Sequence, residues 1–346
     1  MSLGKVYIHV NSISHYRVPF YNILSDRVDS IHIDFCENNN EKSLADNVSY
    51  DKCRLLKISS MFKFPLLNIN EVFRSNFIVF EFNPKKLSLF LLSPILILCG
   101  KKVYFWGIGA RKMGFKSRIM SFLSFFSSGL IVYESQSKSV LEKHFIRTIN
   151  ISVINNTVSS LKFCRDLKGR NGLNIIFVGT LSKRKGIYQL LDAVVNLRNK
   201  IDIKLYVVGD GEEMNNIKDF VLRTKSISYI KIAGRINGIN ELREFYNKVD
   251  LSCSPRQAGL SVLQSFSFGV PFLTHTHAIS GGEIENIVDR YTGWLFENNL
   301  EEKLLEIASD RKLLDQVSLN CMEHYWNHRT IEMMTDRFCN ALLNAN

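Results

Sequence analysis

Cysteine pairing is the first thing missing from this sequence. Its seven cysteines (Cys36, Cys53, Cys99, Cys164, Cys253, Cys321 and Cys339) are scattered, odd in number and include no CxxC pair. That pattern excludes a disulfide scaffold and fits a reduced, cytoplasmic protein. A membrane-spanning run is missing too. The longest apolar stretch, Leu87–Cys99, is interrupted by Ser93 and Pro94 and is too short to cross a bilayer as a helix. It reads as a core helix ahead of a strand at Val103–Trp106. Lys5–Val10 is too short and too mixed for a secretory signal, so none is expected. There is no low-complexity tract and no short internal repeat. Acid is in deficit: Lys and Arg number 44 against 33 Asp and Glu, a net charge of +11. Such a balance calls for a polyanionic partner: nucleic acid, an anionic membrane surface or a phosphorylated ligand.

What is present is alternation, over a chain of 346 residues that is 46% hydrophobic and long enough for two domains. In the second half, strand-like runs at Asn174–Val178, Lys204–Val208, Tyr229–Ile232, Asp250–Ser254 and Phe272–Thr274 are followed by helical patterns. Those helices are read at Gly186–Leu197, Glu212–Arg223, Asn240–Val249, Leu260–Phe268 and Glu283–Val288. In the first half, Val6–Val10, Ile31–Phe35, Ile78–Phe82, Val103–Trp106 and Leu130–Tyr133 read as strands. Tyr21–Asp26, Leu87–Leu98 and Lys116–Phe126 read as helices between them. This order predicts an α/β fold with parallel sheets covered on both faces. The polar stretch Ser159–Leu173 is the candidate linker. The expected division is an N-terminal domain over 1–160 and a C-terminal domain over 170–320. A helix over 321–346 would return to the first domain. Ligands are expected at the carboxyl ends of the strands.

Two stretches have the makings of a phosphate site. In 177-FVGTLSKRKGIYQLL-191 a buried strand ends at Gly179 and a helix starts near Gly186, with Lys185 between them. Helix starts favour anions, and the lysine adds a point charge. The pattern recurs at Gly259–Leu260–Ser261, where Gln264 falls one turn into the helix and could bond a hydroxyl beside the phosphates. The bland alternative is an ordinary βα turn, and it stays open. Gly209-Asp210-Gly211 reads as a tight connection.

The order of these stretches resembles the retaining family-4 glycosyltransferases of the GT-B fold, of the kind that builds bacterial surface polysaccharides. The stretches are 178-VGTLSKRKG-186, 207-VVGDGEE-213, 250-DLSCSP-255, 259-GLSVLQSFSFGVP-271 and 281-GGEIENIVDRYTGWLF-296. Asn155–Val158 looks like the family's hinge. Upstream, 15-HYRVPFYNIL-24, 80-FEFNPKKLS-88 and 104-YFWGIGA-110 resemble its first domains. The resemblance implies two Rossmann-like domains facing a central cleft. It also implies transfer from a nucleotide-sugar, weakly a UDP-sugar, to a lipid-linked or surface-glycan acceptor in O-antigen, lipopolysaccharide or capsule synthesis.

Residue by residue, the resemblance keeps Lys185, places Thr180 where the family has an arginine, and puts Arg256 and Gln264 where it has two acids. Gln264 can still bond a hydroxyl, whereas Arg256 accepts no hydrogen bond. Arg184 or Arg256 would replace the missing charge, and Glu285 fits the donor-side glutamate. The donor set is then Thr180, Arg184, Lys185, Gly259, Leu260, Ser261, Gln264 and Glu285. Some members carry a histidine where this chain has Ile108, so His15 and Arg17 become the acceptor-side candidates, with Glu134. The catalytic expectation is Lys185, Arg256 and His15, with no metal and no cofactor. A non-catalytic GT-B protein that binds sugar nucleotide or a partner transferase is the alternative, and a GT-B epimerase also stays open.

Other constellations are weaker. His324 and His328 lie four apart on a helix but lack a third metal ligand. His275 and His277 point the same way along a strand end. Residues 111–126 interleave Arg111, Lys112, Lys116 and Arg118 with aromatic and aliphatic side chains. The two readings are a core helix with a basic outer face and a peripheral helix on the inner face of an anionic membrane. No nucleic-acid module is present, and none is expected as a partner.

Overall fold

The computed structural model describes residues 3–35, 53–57, 60–61, 64–65, 67–144, 149–162, 172–236 and 238–344. Cys36, Cys164 and most of the expected linker lie outside the described residues, and the five described cysteines are free thiols. The chain forms two compact units: Met1–Asn156 with Ile331–Asn346, and Thr157–Thr330.

In chain order the first unit contains β1 (Lys5–Val10), α1 (Val18–Arg27), β2 (Ser30–Phe35), β3 (Cys53–Lys57), a short antiparallel pair β4 (Ser60–Met61) and β5 (Phe64–Pro65), and α2 (Ile69–Arg74). There follow β6 (Phe77–Glu81), α3 (Leu87–Leu98), β7 (Lys102–Gly107), α4 (Phe115–Ser124), β8 (Gly129–Val132), α5 (Ser135–Glu142) and β9 (Ile151–Val153). Its main sheet has the order β3-β2-β1-β6-β7-β8-β9, with every pair parallel. Central strands are buried on both faces, as a sheet covered by helices on two sides requires: Val6, Tyr7, Ile8 and His9 are all buried in β1.

The second unit contains β10 (Leu173–Val178), α6 (Ile187–Leu197), β11 (Ile203–Val208), α7 (Met214–Arg223), β12 (Ile230–Gly234), α8 (Ile239–Tyr246) and β13 (Leu251–Cys253). After these come β14 (Gln257–Ala258), α9 (Ser261–Ser267), β15 (Phe272–His275), β16 (Ile279–Ser280), β17 (Gly293–Phe296), α10 (Leu300–Ser309) and α11 (Arg311–His328). Its sheet has the order β12-β11-β10-β13-β15-β17, again parallel throughout. Both sheets are doubly wound. The strand order reverses between β1 and β6 in the first unit, and between β10 and β13 in the second.

Helix α12 (Ile331–Leu343) belongs to the first unit. Phe338 packs on Phe20 and Trp106 with ring centroids 5.2 and 5.1 Å apart. The Tyr104 hydroxyl donates to the Leu342 carbonyl at 2.7 Å. Helix α11 stays in the second unit, where the Tyr325 hydroxyl donates to the Val158 carbonyl at 2.6 Å.

Two local expectations change. Leu87–Leu98 is a helix but not a core helix all round: Leu89, Phe90, Ser93 and Leu96 are buried, whereas Leu87, Leu91, Ile95 and Leu98 face outward. Glu283–Val288 is not an α-helix but a 3-10 turn over Glu283–Asn286. The Thr292 hydroxyl donates to the Asn286 carbonyl and accepts from the Val288 N–H, which folds the chain away from helical continuation.

Candidate functional site

In a doubly wound sheet the loops leaving the two strands at the reversal splay apart and leave a crevice. In the second unit those loops are the ones after β10 and β13. The β10 loop is stitched to the β11 loop by backbone hydrogen bonds. Gly179 N–H donates to the Val208 carbonyl at 3.0 Å, Leu181 N–H to Asp210 at 2.9 Å and Glu213 N–H to Leu181 at 3.2 Å. A Cβ at Gly209 would lie 1.9 Å from the Gly179 oxygen, so only glycine permits this approach.

Lys185 folds back over the end of β10. A Cβ at Gly179 would fall 2.1 Å from its Nζ, and the ammonium is 6.0 Å from the Phe177 ring centroid. Burial strips water from the ammonium and lowers its pKa, and Arg184 adds to the shift. Among the described residues no carboxylate pairs with it. The site therefore holds a partly buried cation without a counter-charge.

The β13 loop abuts this lysine. Arg256 N–H and the Ser254 hydroxyl both donate to the Lys185 carbonyl, at 3.2 and 3.4 Å. Arg184 Nη2 donates to Gln257 Oε1 at 3.3 Å, and β14 pairs with β16. Lys185 and the strand leading into Gly259 thus border the same reversal. Arg256 takes a different course. Gly186 adopts a left-handed conformation (φ +76°), and a Cβ there would lie 2.7 Å from Arg256 Cγ. The arginine stem lies along that glycine and reaches a cavity of about 550 Å³ shared with Lys183, Arg184, His275, His277 and Glu297. His275 Nδ1 accepts from His277 N–H at 2.9 Å and its Nε2 meets the Glu297 carbonyl at 2.8 Å. With Nδ1 accepting, it is Nε2 that donates to the Glu297 carbonyl.

Helix α9 has seven residues and buries Val262, Leu263 and Phe266 against the sheet. Its first turn is closed by Val262 N–H donating to the Gly259 carbonyl at 2.9 Å. Gln264 is half-buried one turn in, and its amide Nε2 meets no acceptor among the described residues. Thr180 is exposed, as is Glu285 in the 3-10 turn. Glu283, two residues before it, is the buried anchor and accepts from Gly281 N–H at 2.7 Å. In the His324–His328 pair, His324 is engaged within the second unit. His324 Nε2 bonds Asn286 Oδ1 at 3.0 Å, and its pKa is pushed down to about 4, first by burial and then by Arg329 and His328. Among the described residues no cluster of three or more His, Cys, Asp or Glu side chains could hold a metal ion.

The first unit brings a different set to its own reversal point. His9 at the end of β1 is fully buried. Its Nε2 accepts from Lys86 Nζ at 3.2 Å, and the same ammonium donates to Glu81 Oε2 at 3.1 Å. Asn11 Nδ2 donates to Glu81 Oε1 at 3.1 Å. Burial, then Lys86, lower the His9 pKa to about 4. Beneath it, Asp34 is bonded by the Tyr7 hydroxyl, by His32 at 2.9 Å and by Asn68 N–H at 3.0 Å. Burial pulls that carboxyl upward, but the hydrogen bonds outweigh it and hold it below the usual range. None of these residues was singled out from sequence. The available signal was polar side chains inside apolar strands: His9 in KVYIHV, His32 and Asp34 in SIHIDF.

The acceptor-side candidates lie apart from that cluster in character. His15 is exposed, edge-on to Tyr16. Arg17 is a buried core arginine, its guanidinium 5.0 Å from the ring centroids of both Trp106 and Tyr133. Glu134 is fully buried and grips Arg111 with both oxygens, at 2.5 and 2.8 Å. Both charges already have internal partners.

Residues 166–323 match the family model of glycosyl transferases group 1. An uncharacterized glycosyltransferase of Methanocaldococcus jannaschii is 28% identical over 155 residues, which is 43% of this chain and 42% of the relative. A second one from that organism is 23% identical over 202 residues, 52% and 50% of the two chains. The chain thus spans half or less of the length of these relatives. Among solved structures, a glycosyltransferase from Rickettsia africae superposes with a TM-score of 0.73 at 15% identity, covering 99% of both chains. Anabaena HepE in complex with UDP-glucose gives 0.69 at 14% identity, covering 98% of this chain and 99% of its own. The lipopolysaccharide outer core galactosyltransferase WaaB gives 0.67 at 12%, with the same coverage. These likenesses show the fold: two Rossmann-like domains in the GT-B class.

Proposed function

We propose that this chain is a retaining glycosyltransferase that holds a UDP-sugar at the β10/β13 reversal. It passes the sugar to a lipid-linked or surface-glycan acceptor bound by the first unit. The observation that carries the reading is Lys185: a desolvated ammonium without a carboxylate partner, set at the point of a doubly wound sheet where ligands bind. A diphosphate supplies the absent counter-charge, and the same contact stabilises the charge that builds on the departing nucleoside diphosphate. Gln264 supports the assignment, since a buried amide donor without an acceptor costs about 1–3 kcal/mol and a ribose hydroxyl would relieve it. The family match spans both loops, and HepE, of like fold, was solved with UDP-glucose.

Thermal stabilisation across a panel of sugar nucleotides tests this, because a ligand that prefers the native state raises its melting point. UDP-sugars are expected to stabilise the parent. Lys185→Ala is expected to keep the parent's unliganded melting point but lose both that stabilisation and sugar transfer. An alanine variant that turns over donor at the parent rate overturns the site. A non-catalytic, donor-binding role is the second reading, favoured by Arg256 and Thr180 at positions where the resembled family has an acid and an arginine. It predicts stabilisation by UDP with neither donor hydrolysis nor transfer.

A further inference from the structure

Helices α3 and α4 leave large apolar side chains uncovered. Leu87, Leu91, Ile95 and Leu98 form one stripe along α3, with Leu91 63% and Leu98 88% exposed. Phe115, Ile119, Phe122 and Phe126 form a second stripe along α4 and its exit, with Phe115 80% and Phe122 69% exposed. Their spacings, i, i+4, i+8, i+11 and i, i+4, i+7, i+11, put each set on one helix face.

The stripes belong to a single surface. Helix α3 joins β6 to β7 and α4 joins β7 to β8, three strands adjacent in the sheet. Right-handed crossovers place both helices on the same sheet face. The buried sides agree, for Leu89, Phe90 and Leu96 share one core with Met120 and Leu123. The Ser93 hydroxyl donates to the Phe126 carbonyl and ties the two helices together.

Charge identifies the occupant. From Phe82 to Tyr133 the chain has no Asp or Glu, whereas Lys85, Lys86, Lys101, Lys102, Arg111, Lys112, Lys116 and Arg118 all fall within it. Lys86 and Arg111 are paired internally, but Lys112, Lys116 and Arg118 are exposed beside the α4 stripe. At 100° per residue Lys116 and Arg118 flank the line of Phe115, Ile119 and Phe122, one on each side. A symmetric pairing of two copies through this face would set cations against cations. A nucleic acid would meet the cations but leave the aromatic and aliphatic side chains in water. An anionic lipid bilayer satisfies both, with headgroups for the cations and acyl chains for the stripes.

We propose that the α3–α4 face of the first unit is a membrane-docking surface specific for anionic lipid. Leu91, Leu98, Phe115 and Phe122 insert at the interface while Lys112, Lys116 and Arg118 contact lipid phosphates. It stands independently of sugar transfer, because it uses no residue of either reversal point. The test is co-sedimentation of the full chain with vesicles of phosphatidylcholine alone or of phosphatidylcholine with an equal part of phosphatidylglycerol. The parent is expected to pellet with the anionic vesicles and to be released by salt. The triple variant Lys112→Gln, Lys116→Gln, Arg118→Gln should weaken anionic binding on the order of a hundredfold. The pair Leu91→Glu, Phe122→Glu should abolish it. All five positions are exposed, and melting points equal to the parent's establish that the variants are folded. The proposal fails if the folded parent ignores both vesicle types or if the charge-neutral triple binds anionic vesicles as the parent does. It also fails if the parent is a dimer that the Glu pair converts to monomer, since a second copy would then own the face. Displacement of the vesicles by a short RNA duplex through the same face would overturn it as well.

Discussion

A single histidine ties the first unit's stability to pH. His9 is buried, accepts from Lys86 and has its pKa pushed down to about 4. In the unfolded chain it titrates near its ordinary value. Between those values the unfolded state binds a proton that the folded state refuses, so stability falls as pH falls. The window runs from about pH 6.5 down to about 4, and the full effect is roughly 3 kcal/mol for this residue. The expected result is a urea midpoint that drops between pH 7 and pH 4.5, with a shallower drop for His9→Asn. An equal drop in the variant removes His9 from the account. Single residues were unevenly legible in the sequence. Lys185 could be placed because a strand, a glycine and a helix start bracket it. Arg17 and Glu134 could not, because the groups that take up their charge, Trp106 and Tyr133 for one and Arg111 for the other, are remote in sequence.

At the scale of elements, the site rests on how tightly the loops after β10 and β11 can approach. Gly209 sits at φ +144° with no room for a Cβ against the Gly179 oxygen. Gly209→Ala therefore strains the backbone and pushes the two loops apart, at an expected cost on the order of 2–3 kcal/mol. Since the β10 loop also carries Lys185, nucleotide stabilisation should fall along with the unliganded melting point. Scanning calorimetry with and without UDP checks both. A variant as stable as the parent would show that the loop relaxes without strain. The alternation of strands and helices was readable because each period leaves its own hydrophobic signature. Which side of an apolar helix stays wet was not. The Leu87–Leu98 pattern is apolar nearly all round, and only the neighbours it finds on the sheet decide that Leu89 is buried and Leu91 is not. The turn at Glu283 was misread for a related reason. Its geometry depends on Thr292, which returns from beyond the segment to bond it at both ends.

For the whole molecule the decisive feature is that the first unit is built from both ends of the chain. Ile331, Met334, Phe338, Cys339, Ala341 and Leu342 all enter the core that contains Phe20, Tyr21 and Trp106. The sequence reading sends a helix over 321–346 back to the first domain, whereas in the structure only Ile331–Leu343 joins that core and α11 runs to His328 within the second unit. Ending the chain after Thr330 removes α12 and exposes an apolar face of the first sheet while leaving every element of the second unit in place. The loss of several large buried side chains, each worth about 2–5 kcal/mol when cut back to alanine, rivals the usual stability of a domain. The truncated chain is expected to lose the first unit's cooperative transition. Limited proteolysis should then digest the N-terminal half and leave a resistant fragment close to Thr157–Thr330. Phe338→Ala, which removes one of those side chains, should instead lower the first unit's urea midpoint while both units remain folded. A truncated chain whose N-terminal half resists protease as the parent does would show that α12 covers the first unit without holding it together.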